Sequence, residues 1–202
     1  MHFTIMKLNV VQFGGMWMNT VVTSKEEILR TSRELIRQQD WSAVSIRSVA
    51  AACGVSVGSI YNYFDSKADL VAATVESIWA EIFHRPQDAA VFEDIQACVA
   101  WMYQRMACGC ERYPGFFTLH SLGFMHEDKS DGKRRMQQTW RHILNGLCAV
   151  LKKDAKIRAD AFTPQFTAEK FAEVLFSLML SALLRQDYDP SAVLEIIHRT
   201  LY

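Results

Sequence analysis

Proline is scarce, neither charge predominates, and no long uninterrupted apolar run occurs after the first 22 residues. Four prolines in 202 residues leave long stretches free to run as helix, because proline alone both lacks an amide donor and clashes with the preceding turn. Lys and Arg total 22 and Asp and Glu total 22, so the chain as a whole has no general attraction to nucleic acid. Any phosphate-binding surface must come from local placement. The five cysteines form no regular framework, which speaks against a secreted disulfide scaffold and for a reducing cytoplasm. Residues 1–22 are apolar but have no small-residue cleavage pattern, and they are too polar in places to span a membrane. They are expected to be a flexible extension, or the product of a start site upstream of the real one at Met18. No Ser-His-Asp constellation, glycine-rich phosphate loop or paired-histidine motif stands out, so an enzyme is not expected and no cofactor is implied. Half the residues are apolar, enough for long helices around a substantial core, either as one large helical domain or as a small domain fused to a bigger one.

The most informative stretch is Ser45 to Leu70, SIRSVAAACGVSVGSIYNYFDSKADL. Ile46, Val49, Ala50 and Cys53 fall at i, i+3, i+4 and i+7, one stripe of a short helix. Gly54 follows, where a chain leaving a helix needs a positive φ. Ser56 is placed to cap a second helix reaching Phe64, with Val55, Ile60 and Phe64 inward. Ser66 with Asp69 then starts a third helix. Two short helices joined by a tight glycine turn suit insertion of the second into the DNA major groove.

Ser45, Arg47, Val49, Ala50, Gly54, Val55, Ser56, Gly58, Ser59, Ile60, Tyr61, Tyr63, Phe64, Ser66, Lys67 and Leu70 together make this stretch similar to the DNA-binding domain of the TetR/AcrR family of transcriptional regulators. The resemblance covers residues 24–72. It implies an all-α fold: a three-helix helix-turn-helix DNA-binding domain at 23–70, and a larger helical ligand-binding and dimerisation domain at 71–202. It also implies a homodimer that binds a double-stranded DNA operator and is released by a small-molecule inducer, usually as a repressor, in the cytoplasm and without a membrane.

Elsewhere the pattern is helical. Thr23 or Ser24, with Glu26 or Glu27 three residues on, opens a first helix with Ile28, Ser32, Leu35 and Ile36 on one face, and Trp41 is expected to plug the small three-helix core. The helix from Ser66 should reach His84 with Leu70, Thr74, Ile78 and Trp79 buried. Helices are expected over Ile95–Cys110, through Phe117, Leu122 and Phe124, and over Lys133–Lys153, with a polar loop from His126 to Gly132. In Glu169–Gln186, Phe171, Val174, Leu175, Leu178, Met179, Ala182 and Leu183 form one stripe, while Phe176, Leu180 and Leu184 cover much of the other side. Such a helix needs burial on both faces. Asp189-Pro190 then opens a last helix through Val193, Leu194, Ile197 and Leu201.

At the DNA, the start of the second motif helix places Ser56, Val57, Gly58 and Ser59 nearest the base edges, Val57 offering apolar contact to a thymine methyl. The resemblance assigns Ser45, Arg47, Tyr61, Tyr63 and Lys67 to the DNA backbone. Asn62 pairs with adenine or touches phosphate. Ser56 to Phe64 has no Arg or Lys, so modest specificity per base is expected, supplemented by DNA shape and dimer spacing. The resemblance also implies an inducer pocket, for which Trp101, Tyr103, Met106, Phe117, Phe124 and Trp140 are candidates, and a two-fold interface for which Phe176, Leu180, Leu184, Val193 and Ile197 are candidates. Residues of these types at helical spacing are also what a plain core uses. Alternatives are an all-helical enzyme, a purely structural helical dimer, or a metal or redox sensor using Cys108 and Cys110 with His120 or His126. No metal is expected, since a C-x-C pair on a helix end points its thiols apart.

Overall fold

The computed structural model of the chain describes residues 23–84, 89–116 and 130–202. The extension at 1–22, the helix expected through Phe117, Leu122 and Phe124, and the loop expected from His126 lie outside them, except that 130–132 are helical.

Serine caps set the pattern of the N-terminal half. Ser24 accepts the Glu27 amide at 3.1 Å and opens α1 (Lys25–Gln38), which buries Ile28, Ser32 and Ile36. The buried Ser32 hydroxyl donates to the Ile28 carbonyl at 2.8 Å, so it is not orphaned. A 3-10 turn at Trp41–Ala43 leads into α2 (Ile46–Cys53), where Ser45 and Ser48 cap each other reciprocally. Gly54 leaves α2 at φ 68°, and Ser56 caps α3 (Val57–Tyr61). That helix is shorter than expected: residues 62–64 finish as turns, with the Tyr63 and Phe64 amides both donating to the Ile60 carbonyl. Ile60 and Phe64 are buried as expected. Cys53 and Val55 are only half-buried, because they flank a left-handed turn that is itself exposed.

Ser66 caps α4 (Lys67–Ile82), which stops two residues before the expected His84. α4 packs on α1 on one side and on α5 (Ile95–Arg112) and α6 (Ser130–Lys153) on the other. Trp41 does not plug the three-helix core. That space is filled by Ile28, Ile36, Val49, Ile60 and Phe64, and the half-buried indole stacks on Phe116 beyond α5 at 5.7 Å between centroids.

α6 begins before the expected Lys133, and α7 (Ala168–Arg185) and α8 (Ser191–Leu201) complete eight α-helices among the described residues. The buried Asp154 ties three of these elements together. It accepts the Ile95 amide at 3.0 Å, the Lys156 amide at 2.9 Å and the Tyr202 hydroxyl at 2.5 Å. Burial, followed by the hydrogen bond to Asp154, raises the Tyr202 phenol pKa, so it remains a donor.

On α7 the azimuth differs from expectation. At 100° per residue Phe176 lies with Ala172, Met179 and Leu183. It is 7% exposed and meets Trp140 edge-on at 5.7 Å. Val174, expected inward, is 45% exposed. On α8, Val193 and Ile197 are buried in the chain's own core. Three of the five interface candidates are therefore already covered; Leu180 is half-buried and Leu184 is 61% exposed. α8 starts one residue late, with Pro190 as N-cap and Asp189 accepting the Ser191 amide at 2.9 Å.

Gly109 sets how closely α5 approaches α4. A Cβ there would stand 2.7 Å from Ile82 Cδ1 and 3.0 Å from Cγ1, and the β-branched, buried Ile82 has little freedom to swing aside. Gly109→Ala is expected to destabilise the chain by about 1–3 kcal/mol, read as a lower urea midpoint. An unchanged midpoint would mean the helices part without cost.

Candidate nucleic-acid interface

Capping and the left-handed turn together put the start of α3 on the outside. Ser56 Oγ accepts the Ser59 amide at 3.1 Å and lies 2.9 Å from Ser59 Oγ. Since Ser56 Oγ already accepts one bond, whichever hydroxyl donates to its neighbour leaves the other proton free to point outward. Val57, Gly58, Tyr61 and Asn62 are exposed, and Ser59 is half-buried. The fold does not require glycine at 58. Its φ is not positive, and a Cβ there would meet nothing closer than Ser56 Oγ at 3.7 Å. An exposed valine and tyrosine beside a glycine that internal packing does not demand suit close approach by an outside surface.

Arg47 on α2 and Lys67 at the first residue of α4 are also exposed, on the helices that precede and follow α3 in the chain. Lys67 lies where unpaired amides of a helix start also favour an anion. Two of the three acids of α1 are occupied by their own helix: Arg30 holds Glu27 at 2.5 Å and Arg37 holds Glu34 at 2.7 Å. The hydrogen bond from Arg30 keeps the Glu27 carboxyl below its ordinary pKa. Ser45 is half-buried and its Oγ serves as the α2 cap, accepting the Ser48 amide at 3.1 Å.

Tyr63 also has a partner inside the chain. Its ring is exposed, but its hydroxyl donates to the Thr23 carbonyl at 2.7 Å. A phosphate oxygen only accepts, so Tyr63 has no proton to give it while this bond stands. The residue hooks the end of the motif to the start of α1. Beside it, the Lys25 ammonium lies 5.6 Å over the Phe64 ring, a placement that no local motif signals.

The pocket candidates do not share one face. Trp101 is half-buried and meets Phe92 edge-on at 5.7 Å and Phe83 at 6.3 Å. Tyr103, two residues on and therefore about 200° round α5, is buried, and burial raises its pKa. Met106 is fully buried. Trp140 is half-buried, with its indole N–H unpartnered between α6 and α7. Phe117 and Phe124 lie outside the described residues. Cys108 is exposed, whereas Cys110 is half-buried with its Sγ 2.5 Å from the Tyr188 hydroxyl. Burial raises the Cys110 pKa, the opposite of what a thiolate ligand needs. Among the described residues no three His, Cys, Asp or Glu gather to hold a metal; His120 and His126 lie outside them. No described helix is long and apolar enough to cross a membrane.

The arrangement defines an all-helical protein with an N-terminal helix-turn-helix and a larger helical second half. Residues 28–74 match the sequence model of bacterial regulatory proteins of the TetR family. A Bacillus subtilis (strain 168) protein described as an uncharacterized HTH-type transcriptional regulator, YerO, is 36% identical over 52 residues, which is 26% of this chain and 18% of that one. The match thus spans under a fifth of that relative's length. In fold, a transcriptional regulator from Rhodococcus sp. Rha1 is similar with TM-score 0.59 at 19% identity, over 84% of this chain and 87% of that one. FadR from Bacillus subtilis, solved in complex with stearoyl-CoA, is similar with TM-score 0.62 at 16% identity, over 89% of this chain and 100% of that one. Over residues 28–74, therefore, this chain is similar to the TetR family of bacterial regulatory proteins, and beyond them the likeness is one of fold.

Tyr63→Phe deletes the hook to Thr23 without changing shape. It is expected to cost about 1 kcal/mol, seen as a lower melting temperature, whereas Tyr61→Phe should cost nothing measurable. Equal melting for both would show that the Tyr63 hook is not held in solution.

Proposed function

We propose that this chain is a TetR-family regulator, a homodimeric, sequence-specific DNA-binding repressor released from its operator by a small organic inducer. The observation that carries the reading is the exposed start of α3, where Ser56, Val57 and Gly58 stand clear of the core, with Arg47 and Lys67 exposed on the helices before and after it. Ser56, Val57, Gly58 and Ser59 are the readers of base edges, with Asn62 at the far end. Arg47, Tyr61 and Lys67 bind phosphates, and Ser45 caps the helix that carries Arg47. Two copies would present their α3 helices to half-sites about 34–36 Å apart.

The second copy is taken to dock on the outward strip of α7. Val174, Ser177, Ser181 and Leu184 lie on the side away from the chain's own core, with Ile196 of α8 also exposed. Small serines on such a strip let two helices approach closely. The division between reading and sensing halves, placed at residue 70, falls inside α4, which then transmits inducer binding as a tilt. For the inducer, the complex of FadR with stearoyl-CoA supports an organic ligand class. The unpartnered indole N–H of Trp140 supports a site between α6 and α7 that offers a donor.

Selection of duplexes from a random pool by the purified chain tests the reading directly. Lys67→Ala is expected to weaken binding to all duplexes alike and to lower the salt slope by about 0.9. Substituting Val57 should change which sequences are selected; uniform loss across sequences would remove it from the readers. Leu184→Glu is expected to convert dimer to monomer in sedimentation without unfolding the chain, since the site is exposed. A dimer that persists would move the interface elsewhere.

A further inference from the structure

Three side chains from two parts of the chain close on one carboxylate at the end of α4. Arg33 of α1 reaches Glu81 Oε2 at 2.8 Å. Arg112 of α5 reaches Oε1 at 2.8 Å, and the Tyr113 hydroxyl donates to the same oxygen at 3.0 Å. Burial, then the Glu81 charge, pushes the Tyr113 phenol up to about 12, so its proton stays in place. The Arg33 and Glu81 side chains are 19% and 24% exposed, which shields their pairing more than that of an ordinary surface pair.

The two oxygens divide by direction. Oε2 serves the helix-turn-helix half and Oε1 serves the second half. Rotation of the carboxylate therefore disturbs the Arg33 ion pair on one side and the Arg112 and Tyr113 contacts on the other together, which couples the setting of α1 to that of the α5 end. The surroundings reinforce the same seam. Arg37 of α1 lies 5.7 Å from the centroid of the Tyr113 ring, and Trp41 stacks on Phe116. On the other side, Arg105 donates to the closing carbonyls of α4, Ile82 at 2.5 Å and Glu81 at 3.3 Å. These bonds pin the end of α4 to α5 and make Glu81 a fixed point against which α1 is set.

We infer that Glu81 is a positioning residue: it sets the angle of the helix-turn-helix half against the rest of the chain, and hence the spacing at which two reading helices meet DNA. This rests on the DNA-binding reading above and goes beyond it by naming the residue and the property it controls. Leverage makes the effect large. The start of α4 lies about 20 Å from Glu81 at 1.5 Å per residue, so a rotation of about 10° moves the reading head by about 3–4 Å. That is close to the ~3.4 Å step between successive bases on a strand.

The test uses the full chain and duplexes built from the selected sequence, one with a single half-site and a series with two half-sites at varied spacing. Wild type should prefer one spacing. Glu81→Gln should bind the single half-site with unchanged affinity and salt slope, weaken on the preferred duplex by roughly 2–30-fold, and lose its spacing preference. Arg112→Gln, at a more exposed position that spares folding, should flatten the preference in the same way. Arg33→Gln combined with Glu81→Gln should be no worse than the more damaging single change. If Glu81→Gln and Arg112→Gln both keep the wild-type spacing preference, the inference is overturned while the DNA-binding reading stands. Loss of single half-site affinity in Glu81→Gln would also overturn it, by showing a structural prop for the motif. A wild type that selects no duplex would instead overturn the DNA-binding reading, and this inference with it.

Discussion

Burial of α4 from both sides is the constraint on which the rest of the structure depends. Ala72, Ala73, Thr74 and Val75 are four consecutive buried residues, and at 100° per residue they cover most of the helix circumference. A helix packed on a single side cannot bury such a run. The partners are α1 from the helix-turn-helix half and α5 and α6 from the second half. Each large apolar side chain buried along the way, Leu70, Val75 and Ile78 among them, contributes roughly 1.5–3 kcal/mol. The buried Thr74 hydroxyl donates to the Leu70 carbonyl at 2.8 Å, so the polar group costs little in that setting. One helix thereby joins both halves in a single continuous core, and neither half can reorient without disturbing it.

A chain of zero net charge has no overall attraction to a charged partner, so any charge complementarity must come from local sorting. On α1 the acids Glu27 and Glu34 are bonded to arginines of the same helix, and Glu81 is shared among Arg33, Arg112 and Tyr113. Arg47 and Lys67 stand exposed at the outer face of the motif. The apolar surface is sorted likewise: Val174 and Leu184 face outward on α7 while Phe176 is drawn against Trp140.

Much of the local framework was legible because it depends on short-range chemistry. The Ser24, Ser45, Ser56 and Ser66 caps and the left-handed Gly54 each satisfy backbone groups within a few residues, so their pattern could be read directly. The exposed run at the start of α3 follows from the same caps. The role of Tyr63 was not legible, because its hydroxyl finds Thr23, forty residues away. Trp41 was misplaced for a related reason: hydrophobicity says that an indole wants cover but not which core supplies it, and here Phe116 does.

The amino-acid order alone determined the helix-turn-helix, the all-helical class and most helix limits, since periodicity, caps and breakers act over a turn or two. The tertiary structure decided which way α7 is rolled, which cysteine and tyrosine meet at Cys110 and Tyr188, and where Arg33 and Arg112 find a common carboxylate. A helix apolar nearly all round has no preferred side until neighbours compete for it. A charge distant in sequence has no defined partner until packing fixes the distances between helices.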